Sequence, residues 1–197
     1  MSINRALRRL ATAACVALLL PATLLVAQAT TSKRQAVGDF KVFLPLTVRQ
    51  IAPLRIDAAA SAGYTDTSGN LWLADTGFIG GQIGNLGNIS IANTSDPRIY
   101  QTERFKLTGY ALAVANGNYT VRLHFAESFY TAPGQRVFSV NVEGAPINAI
   151  DVFAEAGAAR TALIKTANVT VSDHQLNLDF TASVGETMID GIEVIPQ

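Results

Sequence analysis

Tyr119-Thr120-Val121-Arg122-Leu123-His124-Phe125 is the stretch that decides the fold. Tyr119, Val121, Leu123 and Phe125 are apolar, and Thr120, Arg122 and His124 between them are polar. Successive side chains of a strand point to opposite faces, so a period of two marks a strand with one buried and one wet face. The pattern recurs downstream. Phe138, Val140 and Val142 alternate with Ser139 and Asn141, and Leu176, Leu178 and Phe180 alternate with Asn177 and Asp179. Met188, Ile192 and Val194 share the last apolar face, which Asp190 interrupts. Strands with one wet face belong to antiparallel sheets.

Turn chemistry separates these segments. Asn116-Gly117 accepts the positive φ angles of a tight hairpin between Tyr110–Ala115 and Tyr119–Glu127. Glu143-Gly144-Ala145-Pro146 closes another strand. Ala154–Thr161 is Ala-rich but interrupted by Gly157, which predicts at most a turn of helix. Gly77–Ser95 is crowded with Gly and Asn and reads as a long loop. Many short strands with turns between them predict an all-β fold over residues 54–197, an antiparallel β-sandwich or jelly roll.

The N-terminus carries an export signal. Arg5, Arg8 and Arg9 precede an apolar run from Leu10 to Val26 broken only by Thr12, Pro21 and Thr23. Ala27-Gln28-Ala29 then matches the small-x-small cleavage pattern. Residues 1–29 are expected to be a signal peptide cut after Ala29, which makes the protein secreted or extracytoplasmic; an uncleaved anchor is the weaker alternative. A lipoprotein signal fails, because Cys15 lies inside the apolar run. Residues 30–53 read as a linker or leader, where Pro45 and Pro53 oppose a helix or a central strand.

Composition excludes several chemistries. Cleavage removes the only Cys, and with it any disulfide, thiol nucleophile or cysteine metal site. From Leu54 onward there are eight Lys and Arg against fourteen Asp and Glu, so nucleic acid and anionic membranes are poor partners. His124 and His174 are the only histidines, too few for zinc, and both are expected at the surface. Asp66-Thr67-Ser68-Gly69-Asn70 places oxygens at alternate positions but lacks the rest of a calcium loop, and reads as a polar turn. No Gly-x-Ser-x-Gly elbow is present. A glycosidase needs two carboxyls facing each other across a sugar. Glu127 and Glu193, which end or interrupt strands, are expected to be exposed and suggest no such pair. No cofactor and no metal are expected.

The aromatics point to a different chemistry. Sugar rings lay their C–H faces on aromatic side chains, while their hydroxyls seek carboxylates, amides and guanidinium groups. Phe129-Tyr130 leaves the strand Tyr119–Glu127 and enters Thr131-Ala132-Pro133-Gly134. Two adjacent side chains of a strand cannot both face a core. Tyr100 and Phe105 fall on opposite faces by parity within Tyr100-Gln101-Thr102-Glu103-Arg104-Phe105. Core packing is the ordinary explanation for aromatics. It is favoured for Tyr100, Tyr119 and Phe125, and core or sheet-edge packing for Trp72; Phe105, Phe129 and Tyr130 are left open.

Four stretches together resemble the malectin family of carbohydrate-binding domains. They are Arg55-Ile56-Asp57-Ala58 with Tyr64-Thr65-Asp66 and Gly69; Ile99–Phe105; Val121–Glu127 running into Phe129-Tyr130 and Arg136–Val140; and Ile150-Asp151-Val152-Phe153 with Gly157. The resemblance spans about Arg55 to Ile195. It implies a jelly-roll β-sandwich of the galactose-binding-like type, with non-catalytic binding of glucose-containing oligosaccharides in a cleft at one end. By position it places cleft residues on Phe105, on Phe129-Tyr130 and near Glu186. A further tyrosine of the family's early loop has no clear counterpart among residues 80–93. Phe105 and Phe129 keep a stacking face but lack a hydroxyl, which Tyr130 supplies next door; a missing hydroxyl changes which sugar is preferred.

The resulting expectation is a secreted, lectin-like carbohydrate-binding module and no enzyme. Phe105, Phe129 and Tyr130 serve as stacking platforms, Glu186 accepts hydroxyls, and Asp66 and Tyr100 support. The partner is an oligosaccharide or a cell-wall or other extracellular polysaccharide. The alternative is a structural or adhesive module that binds proteins.

Overall fold

Alternation in the sequence becomes alternation in burial. The computed structural model describes residues 52–197; the expected signal peptide and residues 30–51 of the expected linker lie outside the described residues. In chain order the strands are β1 (Leu54–Asp57), β2 (Tyr64–Thr65), β3 (Leu71–Trp72), β4 (Phe78–Asn85), β5 (Thr102–Ala113), β6 (Gly117–Phe125), β7 (Val137–Val142), β8 (Ala145–Ile150), β9 (Leu163–Val171), β10 (Gln175–Val184), β11 (Met188–Ile189) and β12 (Gly191–Pro196). One four-stranded sheet runs β1-β12-β6-β9. The other has six strands, β11-β5-β10-β7-β8, with β4 on β5. Every named pairing is antiparallel.

The core lies between these sheets. Val121, Leu123 and Phe125 of β6 meet Phe138, Val140 and Val142 of β7 and Leu176 and Leu178 of β10. Phe125 packs edge-on against Phe138 with centroids 5.6 Å apart. Each of these large side chains is fully buried, and such burial stabilises by about 1.5–3 kcal/mol apiece.

The chain crosses repeatedly from one sheet to the other, as a jelly roll does. The hairpin expected at Asn116-Gly117 is not formed, because β5 and β6 belong to different sheets. Asn116 instead ties the crossing to the β9–β10 turn: its Nδ2 donates to Ser172 O at 2.9 Å, and its Oδ1 accepts from His174 N at 2.8 Å. Glu143-Gly144 does close a hairpin, with Val142 opposite Ala145 and both turn residues at positive φ (48° and 84°).

One further expectation is corrected. Gly77–Ser95 is not one loop, since Phe78–Asn85 pairs along β5 as an edge strand. Its glycines hide the period of two, and one of them, Gly81, leaves room for Arg104 and Leu107 to pack at 3.0 Å from where a Cβ would stand. The single helical turn expected in Ala154–Thr161 is α1, Val152–Ala156, which starts two residues earlier; the Asp151 side chain caps its start and Gly157 ends it at φ 82°.

A second layer covers the outside of the four-stranded sheet. β2, β3 and the segment up to a 3-10 turn at Arg98–Tyr100 contribute Tyr64, Trp72, Ile91, Ile99 and Tyr100 to a satellite cluster. The Asp66–Asn70 turn between β2 and β3 is polar as expected. Asp66 Oδ1 accepts from Ser68 N and Asn70 N, and Oδ2 accepts from Trp72 Nε1.

Candidate functional site

Four of the expected site residues gather at one rim of the sandwich. β6 ends at Phe125, and Glu127 two residues on turns its side chain back into the protein. Glu127 Oε1 accepts the backbone N–H groups of Phe129 and Tyr130, both at 2.9 Å. The two rings stand at 90° with centroids 5.0 Å apart. Phe129 is 71% exposed, while Tyr130 is half-buried with the Arg136 guanidinium 5.0 Å from its ring centre.

The last loop closes the rim. A Cβ on Gly185 would stand 3.4 Å from the Tyr130 hydroxyl and only 2.7 Å from Gln135 O, at a φ of 67°. Only glycine suits that position, and its presence lets the loop rest against Tyr130. The next residue, Glu186, reaches Lys106 Nζ at 2.9 Å. Lys106 N donates to Thr187 O, and β11 pairs Met188 with Phe105. Phe105 is half-buried and leans on the core. Gln82 of β4 lies opposite Phe105, with exposed Ile83 beside it.

Beneath the rim is a buried polar cluster that sequence reading missed. Glu127 and Arg136 lie 2.7 Å apart and are almost fully buried. That contact is an ion pair, but the Nε–H is not aligned for a hydrogen bond. Glu103 and Asp190 are buried nearby. Burial pushes both carboxyls up, Asp190 far up, and neighbouring carboxyls add to the effect. Asp190 Oδ2 accepts from Ala126 N. The expectation that Glu127 is exposed is therefore overturned. Arg136 and the backbone amides behind the rim demand a buried acceptor, which a strand-end glutamate supplies.

Asp66 and Tyr100 lie elsewhere. They line a groove of about 300 Å³ on the outside of the four-stranded sheet, with Trp72, Asp96, Arg122, His124 and Glu193. Tyr100 is 1% exposed, and its hydroxyl is 2.9 Å from His124 Nδ1. His124 Nε2 is 3.0 Å from Glu193 Oε1, and Arg55 and Arg122 also bind that carboxylate, at 2.9 and 3.2 Å. Burial pushes Glu193 up, but His124 and the two guanidinium groups outweigh it and hold the carboxyl low. In the neutral ring, Nε2–H faces Glu193 and Nδ1 accepts the Tyr100 hydroxyl. The surface positions expected for His124 and Glu193 are corrected. Parity put His124 on the face away from the core, and Trp72, edge-on at 5.5 Å, then covers that face. His174 is exposed as expected.

Among the described residues no group of three or more His, Cys, Asp or Glu could hold a metal ion, and no helix is long and apolar enough to cross a membrane.

The fold is an all-β sandwich with an aromatic pair at one rim. Comparison with known proteins gives the family. The malectin domain matches residues 53–195, and the chain belongs to that family. A probable LRR receptor-like serine/threonine-protein kinase of Arabidopsis thaliana is 35% identical over 104 residues, which is 47% of this chain and 10% of the kinase. A second such kinase is 34% identical over 106 residues, again 10% of its length, so the chain matches about a tenth of these relatives. Among solved structures, a Bacteroides uniformis beta-glucuronidase superposes with a TM-score of 0.67 at 24% identity, over 74% of this chain and 18% of the enzyme. The ANXUR2 extracellular domain of Arabidopsis thaliana gives 0.63 at 18% identity, over 72% and 47%. At these identities the structures show the shared fold.

Proposed function

We propose that this protein is an exported, non-catalytic carbohydrate-binding module whose site is the rim formed by Phe105, Phe129, Tyr130 and Glu186. One observation carries the reading: Phe129 stands 71% exposed at right angles to Tyr130, with both backbone amides pinned by Glu127. An exposed, immobilised ring is costly in water and useful as a stacking platform. Gln82 and Lys106 flank Phe105, and Glu186 pairs with Lys106, so the rim carries groups that bind hydroxyls; gluco-oligosaccharides are the ligands to test first. Membership of the malectin domain family supports the same reading. An extracytoplasmic location agrees with the N-terminal export signal and with the extracellular domain that shares the fold.

The acids support binding over catalysis. Glu103 and Asp190 are buried under the rim and do not open to a groove. Donors from its own turn outweigh desolvation at Asp66 and hold its carboxyl down to about 2. Burial raises the Tyr100 phenol, the opposite of what a nucleophile needs.

The test is a glycan array followed by calorimetry. Phe129→Ala and Tyr130→Ala should each abolish measurable binding of the best glycan, and Glu186→Ala should weaken it. Unchanged binding in both aromatic variants refutes the site.

A second reading, a protein-binding module, is favoured by the edge strand β4. Phe78, Ile79 and Ile83 are all exposed there. An apolar strand edge is a template for β-strand addition. Ile83→Lys would abolish partner binding under this reading and leave glycan binding intact under the first.

A further inference from the structure

The loops that follow β1 enclose a second groove, of about 240 Å³, lined by Asp57, Ser61, Asn85, Arg98, Gln101 and Thr102. We infer that this groove is a binding site for one neutral, hexose-sized polyhydroxyl unit, separate from the aromatic rim.

The floor of the groove is an under-satisfied carboxyl. Asp57 is 2% exposed. Among the described residues, the one hydrogen bond to its carboxyl comes from Thr102 Oγ1, at 3.2 Å to Oδ1. The same hydroxyl lies closer to Ala58 O, at 2.9 Å, and it has a single hydrogen to share. Asp57 Oδ2 has no hydrogen-bond partner among the described residues, and Asp57 is one of the residues that line the groove. Burial pushes this carboxyl up to about 7, against the pull of Thr102 and Arg98. An interior carboxyl left with so little hydrogen bonding destabilises a fold, and a ligand donor at Oδ2 is what the geometry lacks.

The walls match hydroxyl groups in particular. Asn85 Oδ1 accepts from Gly87 N, which leaves its Nδ2 free to donate. Gln101 Nε2 donates to Asn88 Oδ1 and Ile89 O, which leaves its Oε1 free to accept. A hydroxyl both donates and accepts, so a pair of them suits this mixture of donors and acceptors. Asp57 is the one acid and Arg98 the one base that line the groove among the described residues, so no cluster of like charge calls for an ionic ligand. No other acid lines the groove, which leaves a metal ion without a ligand set. The groove is open to solvent, and its volume has room for one pyranose ring. No aromatic ring lines it, so affinity rests on hydrogen bonds alone and falls in the millimolar range.

The groove also differs from the rim in position. Asn85 pairs with Thr102, and Gln82 pairs with Phe105, three residues further along the same β4–β5 ribbon. Three residues of strand span about 10 Å and an odd number of side-chain reversals, so the two sites use opposite faces of the ribbon.

The test is a ¹H–¹⁵N titration of the full secreted chain with methyl glucoside and methyl galactoside. Saturable shifts are expected at the amides of Ala60, Ser61, Ala62, Gln101 and Thr102 with at least one of the two. Asp57→Asn, which keeps the side-chain size, should weaken that response about tenfold, the equivalent of one lost hydrogen bond. Phe129→Ala should leave it unchanged. If Asp57→Asn does not fold, Asn85→Ala on the exposed edge strand should weaken the response about threefold. The inference is overturned if neither sugar gives saturable shifts at these amides, or if the variant that folds binds within experimental error of the parent. The rim reading fails separately, through unchanged glycan binding in Phe129→Ala and Tyr130→Ala.

Discussion

Glu127 Oε1 accepts the backbone N–H of Phe129 at 2.9 Å, so a buried carboxylate sets the direction of the most exposed ring of the rim. The same oxygen takes the Tyr130 N–H, and Oε2 faces Arg136. Removing that carboxylate leaves a buried guanidinium without its partner, which costs about 3–5 kcal/mol. Glu127→Ala is expected to lose that much in urea unfolding and to lose glycan binding even at temperatures where it remains folded.

Phe129 and Phe125 are four residues apart and predict opposite outcomes. Phe125 is fully buried between the sheets, and Phe125→Ala should cost about 3–5 kcal/mol. Phe129→Ala, at an exposed position, should change stability by no more than about 0.5 kcal/mol while abolishing binding. Thermal melts and calorimetry on the two variants check both statements.

Tyr100→Phe leaves His124 Nδ1 without its hydroxyl partner in a buried site. The expected loss is about 1–3 kcal/mol of stability. Glycan binding at the rim should be unaffected, because Tyr100 lies on the far side of β6. A loss of rim binding in a folded Tyr100→Phe protein would contradict that separation.

Asp57 predicts a pH dependence with a definite sign. Burial pushes its carboxyl up to about 7 from the ordinary 3.8, so the folded state holds the extra proton between those values. Its contribution to stability is therefore fully present below about pH 4, falls as pH rises through the window, and levels off above 7. Asp57→Asn removes this dependence. At pH 8 the variant should be more stable than the parent by on the order of 2–4 kcal/mol, and the difference should vanish near pH 4. Urea unfolding at the two pH values measures it. A variant that gains stability while losing the sugar response would show that the carboxyl is retained for binding.

Alternation in β6, β7 and β10 was legible because it is local: neighbouring residues of a strand must point apart, whatever else the chain does. The Asp66–Asn70 and Glu143-Gly144 turns were legible for the same reason, since each needs only its own side chains and φ angles. The aromatic pair at 129 and 130 could be proposed for the rim because both cannot enter the core.

What the sequence by itself determined, then, is that this is an all-β protein with these strands, these tight turns and an aromatic pair leaving β6. The tertiary structure alone decided the partners: β5 and β6 in different sheets despite Asn116-Gly117, β4 as a strand despite its glycines, and Asp66 and Tyr100 parted from Phe105, Phe129, Tyr130 and Glu186. It alone covered His124 and Glu193 and left Asp57 under-bonded at the floor of a groove. The physical reason is range. Periodicity records which face a side chain takes relative to its neighbours, whereas pairing and burial depend on segments such as Trp72 and His124, brought together from 52 residues apart, that leave no local mark on each other.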